Sequence, residues 1–302
     1  MLTVERILCP TDLSDDANAA LRYAVALARS YGAKLYLCYC ADASYVTGQP
    51  LADGEIEKIR RSFTNSIIQH LGHADLEKIN WEGLIVEGCS DRAEAISAEA
   101  AERRVELIVM RSRRRPHRAA LLGSLAEALC RTAPCPVLVT HPDEREWVGR
   151  TTGDISLDRV LVAHDFSDGS ELAIRYALAL AKQYQSDFHL LHVLPEPDAA
   201  PEIGWTADGR GMIYQSAMRR LREAVTGEAS LWCDIKPAVR WGRPYREILA
   251  YARENSIDLI SMGATGNNYG MGALFGSNVD RVLRQAPCPI LVARPLKPSP
   301  HL

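Results

Sequence analysis

The sequence predicts an α/β protein made of two tandem, open, parallel five-stranded sheets, each with helices on both faces. Three observations carry this. The chain repeats itself at an offset of 153 residues: Leu21 to Ala28 (LRYAVALA) returns as Ile174 to Ala181 (IRYALALA). At the same offset Asp12-Leu13-Ser14-Asp15 returns as Asp165-Phe166-Ser167-Asp168, Gly123-Ser124 as Gly276-Ser277, and Ala133-Pro134-Cys135-Pro136 as Ala286-Pro287-Cys288-Pro289. Within each half, short β-branched runs alternate with amphipathic helical stretches, and the runs are apolar on both faces. That pattern belongs to a parallel sheet covered on both sides. A period this long marks a duplicated domain, because solenoid repeats run to about 20–50 residues. The expected division is residues 1–141, a polar linker over 142–156, and residues 157–302.

The elements follow in order. Ile7-Leu8-Cys9 reads as the first strand, and Ser14 as a helix N-cap with Asp15 and Asp16 in the first turn. That helix shows apolar positions at Leu21, Val25, Ala28 and Tyr31, and Gly32 supplies its stop. A strand from Lys34 to Cys40 comes next, then a helix with Ile56, Ile59, Phe63, Ile67 and Leu71 on one face. After these come a strand around Leu84–Val86, a helix from Asp91 to Arg104, and a strand at Leu107–Val109. A helix around Leu125–Leu129 and a strand at Val137–Val139 close the half. The second half places strands near 159–163, 189–194, 238–241, 257–262 and 289–293.

Composition narrows the function classes. The chain has 302 residues, enough for two ordinary domains, with 47% hydrophobic and 24% charged residues. A net charge of -3 gives no reason to expect a polyanion partner. The N-terminal residues lack the apolar core of a signal peptide, and no uncharged run approaches the ~18 residues of a membrane span. The eight cysteines form no CxxC pair. Reduced, structural cysteines in a cytoplasmic protein are therefore expected.

Ligands of open parallel sheets bind beyond the carboxyl ends of the strands, where strand order reverses. There, after the fourth strand of the second half, lies Met262-Gly263-Ala264-Thr265-Gly266, followed by nine residues and Gly276-Ser277-Asn278. Glycines allow close backbone approach, and amides ahead of a helix N-terminus present donors to an anion. The loop is not a P-loop, since no Gly-Lys-Ser/Thr follows. Nor is it a dinucleotide fingerprint, which would follow the first strand. Glycine content alone leaves a loop without a ligand equally open.

The spacing of Gly263, Gly266 and Gly276-Ser277 resembles the ATP-binding signature of the universal stress protein family. The ends of the first and second strands (Val162 to Ser167, Leu191 to Val193) and the Ala-Pro-Cys-Pro blocks extend the resemblance over both halves. The chain looks like a tandem-type member, with the adenine nucleotide alpha hydrolase-like fold. The resemblance implies that Asp165, with Ala163 beside it, meets the adenine, and that Val193 offers backbone to the adenine edge. Met262 and Gly263 would line the ribose, and Gly266, Gly276, Ser277 and Asn278 would hold the phosphates. Magnesium, if present, would be held mainly by phosphate oxygens and water. A carboxylate such as Asp165 can also serve simply as a turn or helix cap.

The first half departs from this pattern. Its loop runs Met110-Arg111-Ser112-Arg113-Arg114-Arg115-Pro116-His117-Arg118 and on to Gly123-Ser124, with Arg111 and Arg114 in place of the two leading glycines. Side chains there would fill the ribose and phosphate space, and Cys40 stands where Val193 stands. One ATP per chain is the expectation. The arginine-rich stretch Arg111–Arg118 reads as a solvated loop or as an anion site. Nucleic acid is the weaker reading, because stacking aromatics are missing.

His70 and His73 lack a third ligand nearby, and His189 and His192 face opposite sides of a strand. Gly242-Arg243-Pro244 is either a nucleotide neighbour or a surface turn, and His164 either reaches a phosphate or is packed. A nucleotide-state sensor in the stress response is the main functional expectation. The alternatives are a slow ATPase or other nucleotide-using enzyme of the same architecture, and a structural adaptor with no ligand. The last strands of the two halves, Val137 to Thr140 and Ile290 to Ala293, could pair as an intramolecular pseudo-dimer, and two chains could form a homodimer.

Overall fold

A computed structural model describes residues 4–42, 51–71, 78–112, 124–142, 144–150, 152–196, 207–225, 227, 229–266 and 276–296. Contacts divide the chain into two compact units. One carries the N-terminal repeat together with Trp147–Ser156, and the other carries Leu157–Ala293. Each unit is a parallel five-stranded sheet with helices, as expected.

The N-terminal unit contains β1 (Arg6–Pro10), α1 (Asp15–Tyr31), β2 (Lys34–Asp42), α2 (Asp53–Leu71), β3 (Trp81–Cys89), α3 (Arg92–Glu102), β4 (Leu107–Arg111), α4 (Ser124–Thr132) and β5 (Val137–Thr140). Its strand order is β3-β2-β1-β4-β5, with every pairing parallel. Order reverses between β1 and β4, so the crevice expected for a ligand lies at their carboxyl ends. Right-handed crossovers put α1 beside α2 on one face and α3 beside α4 on the other. β1 and β4 are buried almost throughout.

Local chemistry explains the element ends. The Ser14 side chain caps α1 by accepting from the Ala17 amide at 3.2 Å, and Gly32 ends it at φ 64°. Asp91 caps α3 by accepting from the amides of Ala93 and Glu94. On α2, Ile59, Phe63 and Ile67 are buried as their spacing predicts, while Ile56 and Leu71 at the two ends are only half-buried. A straight helix of 3.6 residues per turn carries its outermost apolar positions off the packed face. Trp147 is buried edge-on against Tyr23 with centroids 4.7 Å apart, and Val148 bridges Ile155 in antiparallel fashion.

The C-terminal unit contains β6 (Arg159–Ala163), α5 (Asp168–Tyr184), β7 (Asp187–Leu194), α6 (Ala207–Glu223), β8 (Ile235–Trp241), α7 (Pro244–Glu254), β9 (Leu259–Gly263), α8 (Ser277–Gln285) and β10 (Ile290–Ala293). The order β10-β9-β6-β7-β8 repeats that of the first unit, again all parallel. The reversal here falls between β6 and β9. Ser167 caps α5 in a reciprocal capping box with Ser170. Among the described residues, no helix is long and apolar enough to cross a membrane.

Candidate functional site

The turn from β6 into α5 sets the geometry of the C-terminal site. Phe166 takes a left-handed φ of 63°, a conformation costly for a side chain of its size. Its ring is held in place by His192 at 4.5 Å and by the Arg220 guanidinium 3.7 Å above it. The turn brings the carboxylate of Asp165 back over the strand ends. Its Oδ1 accepts from the Ser167 amide at 3.2 Å and from the Ser167 hydroxyl. Asp165 is therefore a turn cap through one oxygen.

The other oxygen faces the glycine loop. A Cβ placed on Gly266 would run into Asp165 Oδ2, so any larger residue there would have to displace that carboxylate. Gly263 answers to a different neighbour. Its Cβ would lie 2.5 Å from the carbonyl carbon of Gly169, and a Cβ on Gly169 would lie 2.5 Å from the Thr265 carbonyl oxygen. Two backbones, the end of β9 and the first turn of α5, are pressed together there. Gly169 is a site residue that reading the sequence missed. Its signal was present, because the repeat offset of 153 sets Gly169 against Asp16, while strand register sets Gly263 against Arg111.

Gly276 behaves differently again. Its amide donates to the Ala264 carbonyl at 3.2 Å, tying together the two ends of the loop. An added Cβ would meet nothing closer than 3.6 Å, so neighbouring protein does not demand glycine at this position. Gly276 is the N-cap residue of α8 and gives that helix no side-chain cap. Ser277 and Asn278 open the helix, and residues 267–275 lie outside the described part of the chain. Met262 is buried on β9 beside Val292, Ala163 ends β6 opposite Leu191, and Val193 pairs with Arg240 near the end of β7. All nine residues expected at the site thus lie on the carboxyl-end rim of β6, β7 and β9 or at the start of α8.

The remaining candidates resolve individually. His164 is buried, its Nε2 lies 3.1 Å from Glu171 Oε1, and its Nδ1 accepts from the Phe166 amide at 3.3 Å. Both ring nitrogens are engaged within the fold, so of the two readings left open the packed one describes this side chain. Burial pushes its pKa below the ordinary histidine value despite the opposing pull of Glu171. Gly242, at φ 145°, packs against Glu247, and Arg243-Pro244 starts α7 in the usual N1 proline manner. His189 meets the Tyr251 hydroxyl at 2.9 Å, whereas His192 meets the His164 carbonyl at 2.7 Å, on opposite sides of β7. His73 lies outside the described residues, and among those described no group of three or more side chains could hold a metal ion.

The N-terminal unit answers the glycine pair with charge. Arg111 Nε donates to Asp16 Oδ1 at 2.7 Å, and Nη1 donates to the His141 carbonyl at 3.2 Å. Asp16 stands where Gly169 stands, and Arg111 where Gly263 stands. The close backbone contact of one repeat has become an ion pair in the other. Arg111 reaches across to α1, and a cleft of about 360 Å³ that it helps to line remains beside it. Arg114, Gly123 and the rest of residues 113–123 lie outside the described chain, and of Ser124 only its place at the head of α4 is described.

With this geometry in view, the family can be stated. A family model described as the universal stress protein family matches residues 3–141 and again 156–294. The chain belongs to the universal stress protein family. A universal stress protein of Methanocaldococcus jannaschii is 28% identical over 152 residues, covering 47% of this chain and 85% of the relative. A universal stress protein of Mycobacterium tuberculosis is 30% identical over 182 residues, covering 58% of this chain and 56% of the relative. Among solved structures, a universal stress protein from Archaeoglobus fulgidus superposes with a TM-score of 0.67 at 23% identity, covering 97% of this chain and 99% of that one. That last similarity is one of fold across both units. The two family matches make this a tandem universal stress protein.

Proposed function

We propose that the C-terminal unit binds one ATP, and that the chain acts as a nucleotide-state sensor or regulator in the stress response. The observation that carries this reading is the meeting of Asp165 with Gly266 beside an α8 N-terminus that has no side-chain cap. The first-turn amides of a helix favour negative charge, and a phosphate group is a suitable partner at a helix whose N-cap is a glycine. Asp165 Oδ1 is taken up by the turn, and Oδ2 faces Gly266. In this reading Val193 and Ala163 border the adenine, Met262 and Gly263 the ribose, and Gly266, Gly276, Ser277 and Asn278 the phosphates. Any magnesium is held through phosphate oxygens and water.

The direct test is to denature freshly purified protein and quantify the nucleotide released, alongside calorimetry with added ATP. About one equivalent per chain is expected. No released nucleotide together with no calorimetric binding would refute the reading. A Gly266→Asp variant sets a second carboxylate against Asp165 and against the phosphates, so it should lose ATP binding while its circular dichroism is retained.

A further inference from the structure

We propose that the cleft in the N-terminal unit is a second ligand site, taking a small molecule with one compact anionic group, a carboxylate or a single phosphate, rather than a nucleotide. The cleft sits at the carboxyl ends of β1, β2 and β4, and its volume of about 360 Å³ lies within the range of small-molecule pockets. Thr11, Asp12, Cys40, Arg92, Arg111 and Ser112 are among the residues lining it.

Ser112 supplies the decisive detail. The residue is 1% exposed and lines the cleft, and among the described residues its hydroxyl has no hydrogen-bond partner. Buried hydroxyls are ordinarily satisfied, so an orphaned one in the wall of a cleft is a candidate partner for a ligand there. The corresponding position in the other repeat is Ala264, which has no hydroxyl to satisfy. The polar group is therefore particular to this cleft.

The kind of ligand follows from what replaced the glycines. A loop of backbone amides suits an extended polyphosphate, because the donors are spread along the chain. A guanidinium presents its donors as a planar fork, which suits one carboxylate or one phosphate. Arg92 and Arg111 bring two such groups to the cleft wall, and Arg111 is held in place by Asp16 and the His141 carbonyl. Asp16 is compensated by that pair. Asp12, whose Oδ1 accepts from the Ser14 amide at 3.1 Å, lines the same wall and suits a hydroxyl or ammonium group elsewhere on the ligand. The Asp16–Arg111 pair also puts side-chain bulk at the strand end where the other repeat has only two glycine backbones, which works against a ribose there.

The test is calorimetric titration of the full chain with inorganic phosphate, with succinate and with ATP, in the wild type and in Arg92→Gln, Ser112→Ala and Gly266→Asp variants. One of the two small anions should saturate at one per chain, and which one does so separates phosphate from carboxylate. Arg92→Gln and Ser112→Ala should each weaken it by about fivefold or more, whereas Gly266→Asp should leave it unchanged. Arg92 is exposed, so its variant tests the site without threatening the fold. Failure of both anions to saturate below about 20 mM, or unchanged binding in both cleft variants, overturns the proposal. ATP binding at two per chain, with one equivalent lost in Arg92→Gln, overturns it as well. Whether ATP occupies the C-terminal unit is read separately through Gly266→Asp, so either site can fail alone.

Discussion

Gly169 and Gly263 show how strongly a single missing Cβ can fix a site. Neither adopts a positive φ, so conformational freedom does not explain them. Their reason is contact: each added Cβ would stand 2.5 Å from backbone that cannot swing aside as a side-chain tip would. Gly263→Ala should therefore cost about 1–3 kcal/mol, the usual range for overpacking. The fall should appear in urea denaturation of the C-terminal unit, and an unchanged midpoint would contradict the contact. The N-terminal repeat supplies a second check, because it solves the same junction with Asp16 and Arg111 at 2.7 Å. Introducing Gly169→Asp and Gly263→Arg together should be less damaging than the sum of the two single variants, with a coupling of about 0.5–3 kcal/mol. Strict additivity would mean that the two repeats do not share this junction.

At the scale of elements, α8 sets stability against binding. Its N-cap, Gly276, has room for a side chain yet caps nothing. Gly276→Ser should supply the missing acceptor and raise stability by a few tenths of a kcal/mol. The same hydroxyl would then compete with a phosphate for the first-turn amides, so ATP affinity should fall as the melting temperature rises. Affinity that stays constant or improves would remove the α8 N-terminus from the phosphate site. Strand and helix order, the capping serine Ser14, and the rim positions Asp165 and Gly266 were legible in the sequence. Periodicity and cap chemistry are local, and the duplication shows the pattern twice. Gly169 and the Ser112 cleft were not read, because each depends on segments distant in the chain meeting in space. The packing of Trp147 on Tyr23 escaped for the same reason, since a lone aromatic in a polar stretch has no periodicity to announce its partner.

Among the described residues, three of the four histidines that burial holds below the ordinary value lie in the C-terminal unit, and acid should act on the two units differently. Burial holds His164, His189 and His192 below the ordinary value of 6.5, and all three lie in the C-terminal unit. In the N-terminal unit burial does the same to His70. For each of these, the unfolded chain takes up its proton near pH 6.5, while the folded chain resists until the pH reaches its lower folded value. The unfolded state thus binds more protons in that window, and stability falls as pH drops through it, by up to about 1.4 kcal/mol per pH unit for each histidine. Above about pH 7 both states are neutral at these sites and the effect is flat. Asp258, whose pKa burial raises above 3.8, works in the opposite sense but in a more acidic window. Hydrogen exchange at pH 7.0 and 5.5, corrected for intrinsic rates, would compare the amides of β6 and β9 with those of β1 and β4. Protection should fall further in β6 and β9, the unit that holds His164, His189 and His192. Equal losses would show that these rings accept protons within the folded unit, and a larger loss in β1 and β4 would reverse the assignment. If the C-terminal unit also holds the nucleotide, ATP should restore protection at pH 5.5 in β6 and β9 without changing β1 and β4, because a ligand stabilises the unit whose folded state it binds.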